Sequence, residues 1–178
     1  MKVILAVLMV LAVFGQSLAQ AYRPKAGETV LKVEVEGRGD LFIRLYTKEA
    51  PKTTAYVLGL VRQGYYDGLK FHRVERTPRP YLAQIGDPAT RASSKQVVAQ
   101  ETKLGIENTG YSHEIGAVGL VRDRQDRDIA SSQFYIMLAP AKFLDGNYTV
   151  FGQVVSGLEV LSKLEKNDRV IAVTVLNG

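Results

Sequence analysis

Hydrophobic and polar residues alternate over two neighbouring stretches of the chain. Apolar and charged side chains take turns between residues 31 and 36, and apolar residues recur at every second position between residues 41 and 45. A period of two is typical of a strand with one buried face. The glycine-containing segment at residues 37–40 separates the two stretches, which predicts an antiparallel hairpin.

The periodicity then changes to that of a helix. Apolar side chains recur every three or four positions between residues 53 and 61, Pro51 suits a first helical turn, and Gly64 suits a C-terminal stop. A second short helix is predicted at residues 158–164 from leucines spaced three apart, with a capping box at residues 156–159.

Further strands are predicted from short apolar runs that Gly, Asp, Pro and Ser residues separate. These runs are residues 69–74, 81–85, 117–121, 133–138, 149–155 and 170–176. The strands do not alternate with helices, which disfavours a doubly wound parallel sheet. The pattern therefore predicts a mainly β protein, an antiparallel barrel capped by two helices, and a length of 178 residues suits one domain.

The N-terminus has a pattern of its own. Lys2 precedes twelve consecutive apolar residues and then a small-residue exit ending at Ala19, which is the order of a secretory signal peptide. The run is shorter than the ~20 residues that span a bilayer, and a buried core helix is the alternative. We predict a signal peptide at residues 1–19, with cleavage after residue 21 as the other option.

The same pattern sets the expected domain organisation and location. A leader arm is predicted at residues 20–29 and a globular domain at residues 30–178. The mature protein is expected to be exported, periplasmic or secreted, with no stable membrane insertion after cleavage.

Composition excludes several classes of function. The chain has no cysteine, which excludes disulfides and thiol chemistry, and His72 and His113 are its two imidazoles, so no metal site is predicted. The net charge of +5 comes from basic residues scattered among acidic ones, which does not favour nucleic-acid binding. No phosphate-binding loop or nucleophile elbow is present in the sequence.

Five segments carry more specific information. They are GYYDG at residues 64–68, FHRV at 71–74, QIGDP at 84–88, SQFYI at 132–136 and LDGNYTVFG at 144–152. Together and in this order they resemble the cyclophilins, a family of peptidyl-prolyl cis-trans isomerases, and the chain looks like an exported bacterial-type member. The resemblance implies an eight-stranded antiparallel barrel capped by two α-helices, which agrees with the strand pattern.

The reaction implied by the resemblance is rotation about the peptide bond that precedes proline. Its barrier of ~18–20 kcal/mol reflects amide resonance. When the amide twists, the prolyl nitrogen becomes a hydrogen-bond acceptor, so a fixed cationic donor stabilises the twisted form. Arg73 is the candidate donor, and Gln84 matches the glutamine that anchors the substrate and orients the arginine.

The resemblance also implies a substrate-binding surface. Val121 and Arg122 match the segment whose backbone faces the substrate, and His72 is expected at the edge of the pocket. The residues that match the wall of the proline pocket are Tyr81, Leu82, Phe134, Tyr135, Leu144 and Tyr148, and Phe143 is a further expected substrate-binding residue. Such aromatic and aliphatic walls exclude water and grip the pyrrolidine ring. His113 resembles a loop histidine.

Some residues depart from the family pattern. Phe143 stands where eukaryotic members often carry tryptophan, so the resemblance does not predict cyclosporin sensitivity. The segments at residues 75–80 and 122–129 are longer than in compact members and are expected to reshape the rim of the groove.

The resulting prediction is an isomerase that assists the folding of exported proteins. Its expected partners are unfolded or flexible polypeptides containing Xaa-Pro bonds, with no cofactor and no nucleic acid, and we expect a monomer. A proline-binding module or holdase with little turnover is the alternative, because gripping proline does not require a donor at the twisted amide.

Overall fold

The computed structural model describes residues 22–86, 102–123 and 125–178. The predicted signal peptide and both cleavage sites lie outside the described residues, as does the start of the leader arm. The Asp87-Pro88 end of the QIGDP motif also lies outside them.

The predicted hairpin is confirmed. Strand β1 (Thr29–Val35) pairs antiparallel with β2 (Gly39–Leu45), with Val33 opposite Leu41. Gly37 and Gly39 have φ angles of 67° and 116°, which glycine adopts without the steric penalty of a side chain. The alternation therefore buries one face of the hairpin and closes it in a tight turn.

The first predicted helix is also confirmed. Helix α1 (Pro51–Arg62) has Pro51 in its first turn, and Gly64 follows its end with a φ of 67°. The helix has no capping side chain of its own at the N-terminus. Instead, Glu107 accepts hydrogen bonds from the backbone amides of Lys52 and Thr53, at 3.0 and 2.8 Å, where a carboxylate also complements the helix dipole.

The remaining strands complete one curled antiparallel sheet, and a second helix lies between the last two of them in the chain. These elements are β3 (Arg73–Val74), β4 (Leu82–Ile85), β5 (Thr102–Lys103), β6 (Ala117–Arg122), β7 (Ile129–Met137), β8 (Val150–Ser156), helix α2 (Leu158–Lys163) and β9 (Val170–Asn177). Along the described strands the order is β3-β4-β7-β6-β8-β2-β1-β9, and β5 pairs with β7 outside this path. Backbone hydrogen bonds between residues 68–71 and 167–170 bridge the two ends. The predicted mainly β fold is confirmed: eight strands follow one curled antiparallel path with two helices, and the two-residue β5 is an additional strand beside it.

The predicted capping box at the start of α2 is wrong. Ser156 still belongs to β8. The N-cap residue of α2 is Gly157, which has a φ of 89° and provides no side-chain cap. A side chain at this position would collide with the Asp40 backbone. The sharp turn from β8 into α2 therefore requires glycine, and its carbonyl accepts the Val160 and Leu161 amides.

Apolar side chains form two clusters. The larger, the main core, includes Leu31, Ile43, Phe71, Phe134 and Phe151. The smaller, the second cluster, includes Tyr46, Leu82, Ala117, Tyr135, Met137, Ala141, Leu144 and Val150, with partly exposed Tyr81, Val121 and Tyr148 against it. In the part of the chain that the structure describes, no helix is long and apolar enough to cross a membrane.

Candidate functional site

Strand pairing brings Arg73 and Gln84 together. They face each other across the β3–β4 ladder, and Arg73 Nη1 donates to Gln84 Oε1 at 3.2 Å. Gln84 Nε2 in turn donates to Gln133 Oε1 at 2.6 Å. Gln84 is buried, whereas the Arg73 side chain is 44% exposed. The Arg73 guanidinium therefore lies at the surface, and the buried Gln84 side-chain amide holds it from beneath.

Two more contacts hold the Arg73 side chain. Its Nε donates to Glu75 Oε1 at 2.7 Å, and the guanidinium carbon lies 5.9 Å from the centre of the Tyr81 ring. Sequence reasoning missed Glu75 as a site residue; it lies two residues after Arg73, directly beyond the end of β3. Nη2 has no hydrogen bond to the described residues.

An apolar surface lies beside this cation. The second cluster contains six of the predicted substrate-binding residues: Tyr81, Leu82, Val121, Tyr135, Leu144 and Tyr148. The rings of Tyr135 and Tyr148 meet edge to face at 6.1 Å. Met137 also belongs to this cluster, and it was missed because only its position two residues beyond Tyr135 on β7 places it there.

Phe143 lies at the rim of this surface. Its ring stacks on Tyr81 at 6.0 Å, and 71% of the residue is exposed. His72 directly precedes β3 and is partly exposed beside Arg73. Neither residue belongs to the second cluster, so both lie at the border of this surface.

The prediction that Phe134 lines the pocket is wrong. Phe134 is buried in the main core, where its ring contacts Tyr66 at 5.2 Å and Phe151 at 6.2 Å between ring centres. Neighbouring residues on a strand point to opposite faces of the sheet. Tyr135 therefore joins the second cluster while Phe134 faces the other way.

The Arg122 side chain is not available to a substrate. It is buried and donates hydrogen bonds to the backbone oxygens of Gly105 and Arg127 and to Thr149 Oγ1. Burial lowers the pKa of this guanidinium. Any contribution of this position to peptide binding must come from its backbone, as the resemblance implies.

His113 lies in a loop, as predicted, and its side chain is held by two partners. It is fully buried, its Nδ1 lies 2.7 Å from Asp145 Oδ1, and its Nε2 lies 2.8 Å from the Tyr135 hydroxyl. The hydrogen bonds from His113 lower the pKa of Asp145, and burial raises that of Tyr135. No local signal could reveal this arrangement, because the partners are 32 and 22 residues away in the chain.

The arrangement suits non-covalent chemistry on an apolar group. A restrained cation borders a partly exposed aromatic and aliphatic surface. Among residues 22–86, 102–123 and 125–178, no three acidic or histidine side chains could together hold a metal ion. The apolar surface can hold a small apolar ring while the Arg73 guanidinium donates a hydrogen bond to a polar atom next to that ring.

Comparison with known proteins identifies the family. Residues 30–176 match the family model described as cyclophilin type peptidyl-prolyl cis-trans isomerase/CLD. The chain belongs to the cyclophilins. The match covers every element from β2 to α2, and this cyclophilin is a peptidyl-prolyl cis-trans isomerase.

Individual relatives agree with this assignment. The chain is 39% identical over 126 residues to peptidyl-prolyl cis-trans isomerase ppi1 of Schizosaccharomyces pombe, which covers 71% of this chain and 79% of the relative. It is 35% identical over 140 residues to peptidyl-prolyl cis-trans isomerase-like 1 of Rhizopus delemar, which covers 76% and 82%.

A solved cyclophilin shares the fold. The crystal structure of a cyclophilin type peptidyl-prolyl cis-trans isomerase from Cryptosporidium parvum, in the presence of the dipeptide Ala-Pro, superposes with a TM-score of 0.68. The sequences are 20% identical, and the match covers 84% of this chain and 99% of the other. The curled sheet with its two helices is thus the cyclophilin fold.

Proposed function

We propose that Arg73 stabilises the twisted Xaa-Pro amide while the second cluster holds the proline ring. The observation that carries this proposal is the position of the guanidinium, fixed by Gln84 and Glu75 at the border of that cluster. A donor that is already fixed loses little conformational entropy when the amide twists.

The chemistry follows from the change at the prolyl nitrogen. In the planar amide its lone pair is delocalised, and in the twisted form it becomes localised and can accept a hydrogen bond. A donor placed for the twisted form binds the transition state better than either planar ground state. Each ~1.36 kcal/mol of such selective stabilisation gives a tenfold faster rotation.

The second cluster supplies the other requirement, a dry surface for the pyrrolidine ring. Tyr81, Tyr148 and Val121 are partly exposed over the buried Leu82, Tyr135 and Leu144. Aromatic walls of this kind suit an apolar ring and leave its carbonyl and nitrogen free for polar contacts. The Ala-Pro dipeptide named with the Cryptosporidium parvum structure supports proline-containing peptides as substrates.

The proposal extends to location and clients. The basic start, the apolar run and the small-residue exit over residues 1–19 support export to a periplasm or to the medium in a bacterial host. The clients are then unfolded or flexible chains outside the cytoplasm, on which slow prolyl rotation, ~10–100 s at 25 °C, limits folding.

The catalytic role is tested by exchange NMR on a short Ala-Pro peptide. Wild type should accelerate cis–trans exchange, and Arg73→Ala should bind the peptide while losing most of the acceleration. Arg73→Lys is the matched control, because it keeps the charge but loses the fork of donors that reaches Gln84 and Glu75 together. A wild-type protein that binds without accelerating exchange would leave the proline-binding module as the function.

Export is tested on the full-length chain expressed in a bacterial host. Intact mass should show a mature protein outside the cytoplasm that begins at residue 20 or 22. A full-length protein retained in the cytoplasm would contradict export and leave the catalytic proposal untouched.

A further inference from the structure

A hydrogen-bonded chain of three side chains lies behind the second cluster. Asp145 Oδ1 contacts His113 Nδ1 at 2.7 Å, and His113 Nε2 contacts the Tyr135 hydroxyl at 2.8 Å. His113 is fully buried, and its ring stacks on that of Tyr135 with 5.9 Å between centres. Isomerisation transfers no proton, so acid–base catalysis does not explain this chain.

We propose that Asp145 and His113 are positioning residues that fix Tyr135 as the floor of the proline pocket and thereby set peptide affinity. The inference rests on the proposed location of the pocket. It assigns to His113 a role in binding without contact with the substrate.

The direction of the hydrogen bonds follows from the partners. Asp145 is ionised above its lowered pKa, and the same Oδ1 accepts both the His113 backbone amide, at 2.8 Å, and Nδ1–H. Nε2 is then left to accept the Tyr135 hydroxyl proton, which burial holds in place by raising the pKa of that phenol. Every polar atom of the buried imidazole is satisfied, which makes the arrangement specific.

The neighbouring strand is shaped to admit this ring. Gly119 on β6 lies opposite Tyr135 on β7, and a side chain at Gly119 would overlap the hydroxyl end of the phenol. Tyr135 therefore lies across a bare stretch of backbone and reaches His113 beyond it. The position of the ring depends on both the missing side chain and the histidine.

His113 also connects the floor to the wall of the pocket. Its backbone oxygen accepts the Ala141 amide at 2.8 Å, at the start of the 3₁₀ turn Lys142–Leu144. That turn carries Phe143 and Leu144, and Asp145 directly follows it. Loss of His113 would release the floor and the wall together, which should weaken binding more than it slows rotation in the bound state.

The test compares two tyrosines whose hydroxyls are both buried. Tyr135→Phe removes the hydroxyl that contacts His113. Tyr66→Phe removes a hydroxyl in the main core that donates to the Ser132 backbone oxygen at 2.9 Å. We expect Tyr135→Phe to weaken binding of a short Ala-Pro peptide about fivefold, as loss of one buried hydrogen bond implies. Tyr66→Phe should leave the dissociation constant unchanged despite a comparable loss of stability.

Two further measurements separate positioning from simple stability. His113→Gln should weaken binding at least as much as Tyr135→Phe, and the exchange rate of the bound peptide should fall less than twofold in both, in contrast to Arg73→Ala. In wild type, ¹⁵N NMR should show Nδ1 protonated and Nε2 bare, and the His113 ring resonances should shift when the peptide binds.

The wild-type measurement does not depend on any variant folding. Unchanged peptide affinity in Tyr135→Phe, or His113 resonances that ignore the peptide, would overturn the inference. Failure of wild type to accelerate exchange would instead contradict the proposed catalysis. It would leave this inference standing, because peptide affinity and the His113 resonances are measured independently of the exchange rate.

Discussion

Arg73 combines an exposed position with unusually many restraints. Gln84 holds Nη1, Glu75 holds Nε, and the guanidinium lies over the Tyr81 ring. An exposed arginine ordinarily samples many rotamers, and fixing one costs up to ~2 kcal/mol of side-chain entropy. Because the fold already restrains the Arg73 side chain, little further side-chain entropy is lost when the substrate binds.

Glu75 should therefore act on turnover rather than on stability. Both partners of its ion pair are more than two-fifths exposed, so Glu75→Ala should change the unfolding free energy by less than ~1 kcal/mol. We expect the exchange rate of the bound peptide to fall about two- to fivefold, because the guanidinium gains freedom. Peptide affinity should stay the same.

Glu75→Gln is the conservative control for this position. It keeps an oxygen that can accept from Arg73 Nε and should recover most of the lost rate in the same NMR experiment. A faster exchange in Glu75→Ala would mean that the carboxylate weakens the donor instead of placing it.

At the scale of elements, the long segment between β3 and β4 is tied to α2. Arg76 Nε donates to the Leu164 carbonyl oxygen at 3.1 Å, and Nη2 reaches the carbonyls of Leu161 and Leu164 at 2.9 and 3.0 Å. Leu161 lies in the last turn of α2 and Leu164 directly follows the helix, where the final carbonyls lack the usual amide partners one turn further on. A cation there also complements the helix dipole.

Arg76→Ala should consequently loosen α2. We expect a loss of about 1 kcal/mol in unfolding free energy and faster amide hydrogen exchange in the last turn of α2. Arg79→Ala is the matched control, since Arg79 is exposed in the same segment. Equal effects of the two substitutions would show that the Arg76 bonds do not support the helix.

For the whole molecule, the apolar side chains form two clusters, and we expect the main core to determine stability and the second cluster to determine peptide binding. Ile43 and Phe134 belong to the main core, whereas Tyr135 and Leu144 belong to the second cluster. Substitutions in the two clusters should thus have different consequences, although all four side chains are buried.

A pair of substitutions tests this division. Ile43→Val should cost about 0.5–1.5 kcal/mol of unfolding free energy and leave peptide affinity unchanged. Leu144→Ala should weaken peptide binding about tenfold, the effect of losing contact between the peptide and about two of the three deleted carbons at ~0.8 kcal/mol each. Urea unfolding and peptide titration measure the two effects, and a weaker affinity in Ile43→Val would contradict the division.

Sequence predicts what depends on neighbouring residues. The period of two located the β1–β2 hairpin, and Pro51 and Gly64 marked the two ends of α1. The face of β7 was harder to assign, because its second half is buried on both sides and alternation there carries no polar marker. Phe134 and Tyr135 are equally apolar in sequence, and only the folded sheet tells them apart.

Contacts between distant residues were beyond sequence reasoning. Arg122 turns inward because Gly105, Arg127 and Thr149 surround it. The capping box failed for a related reason, since pairing with β2 keeps Ser156 in its strand. The family motifs nevertheless placed Arg73 beside Gln84 without any knowledge of the sheet.

The order of the strands also affects synthesis of the protein on the ribosome. β1 pairs with β2, which follows directly in the chain, and with β9, which ends at residue 177. Until β9 has left the ribosome, β1 therefore has an open edge to which other chains could add. The nascent chain therefore carries that open edge throughout the synthesis of every element between β2 and β9.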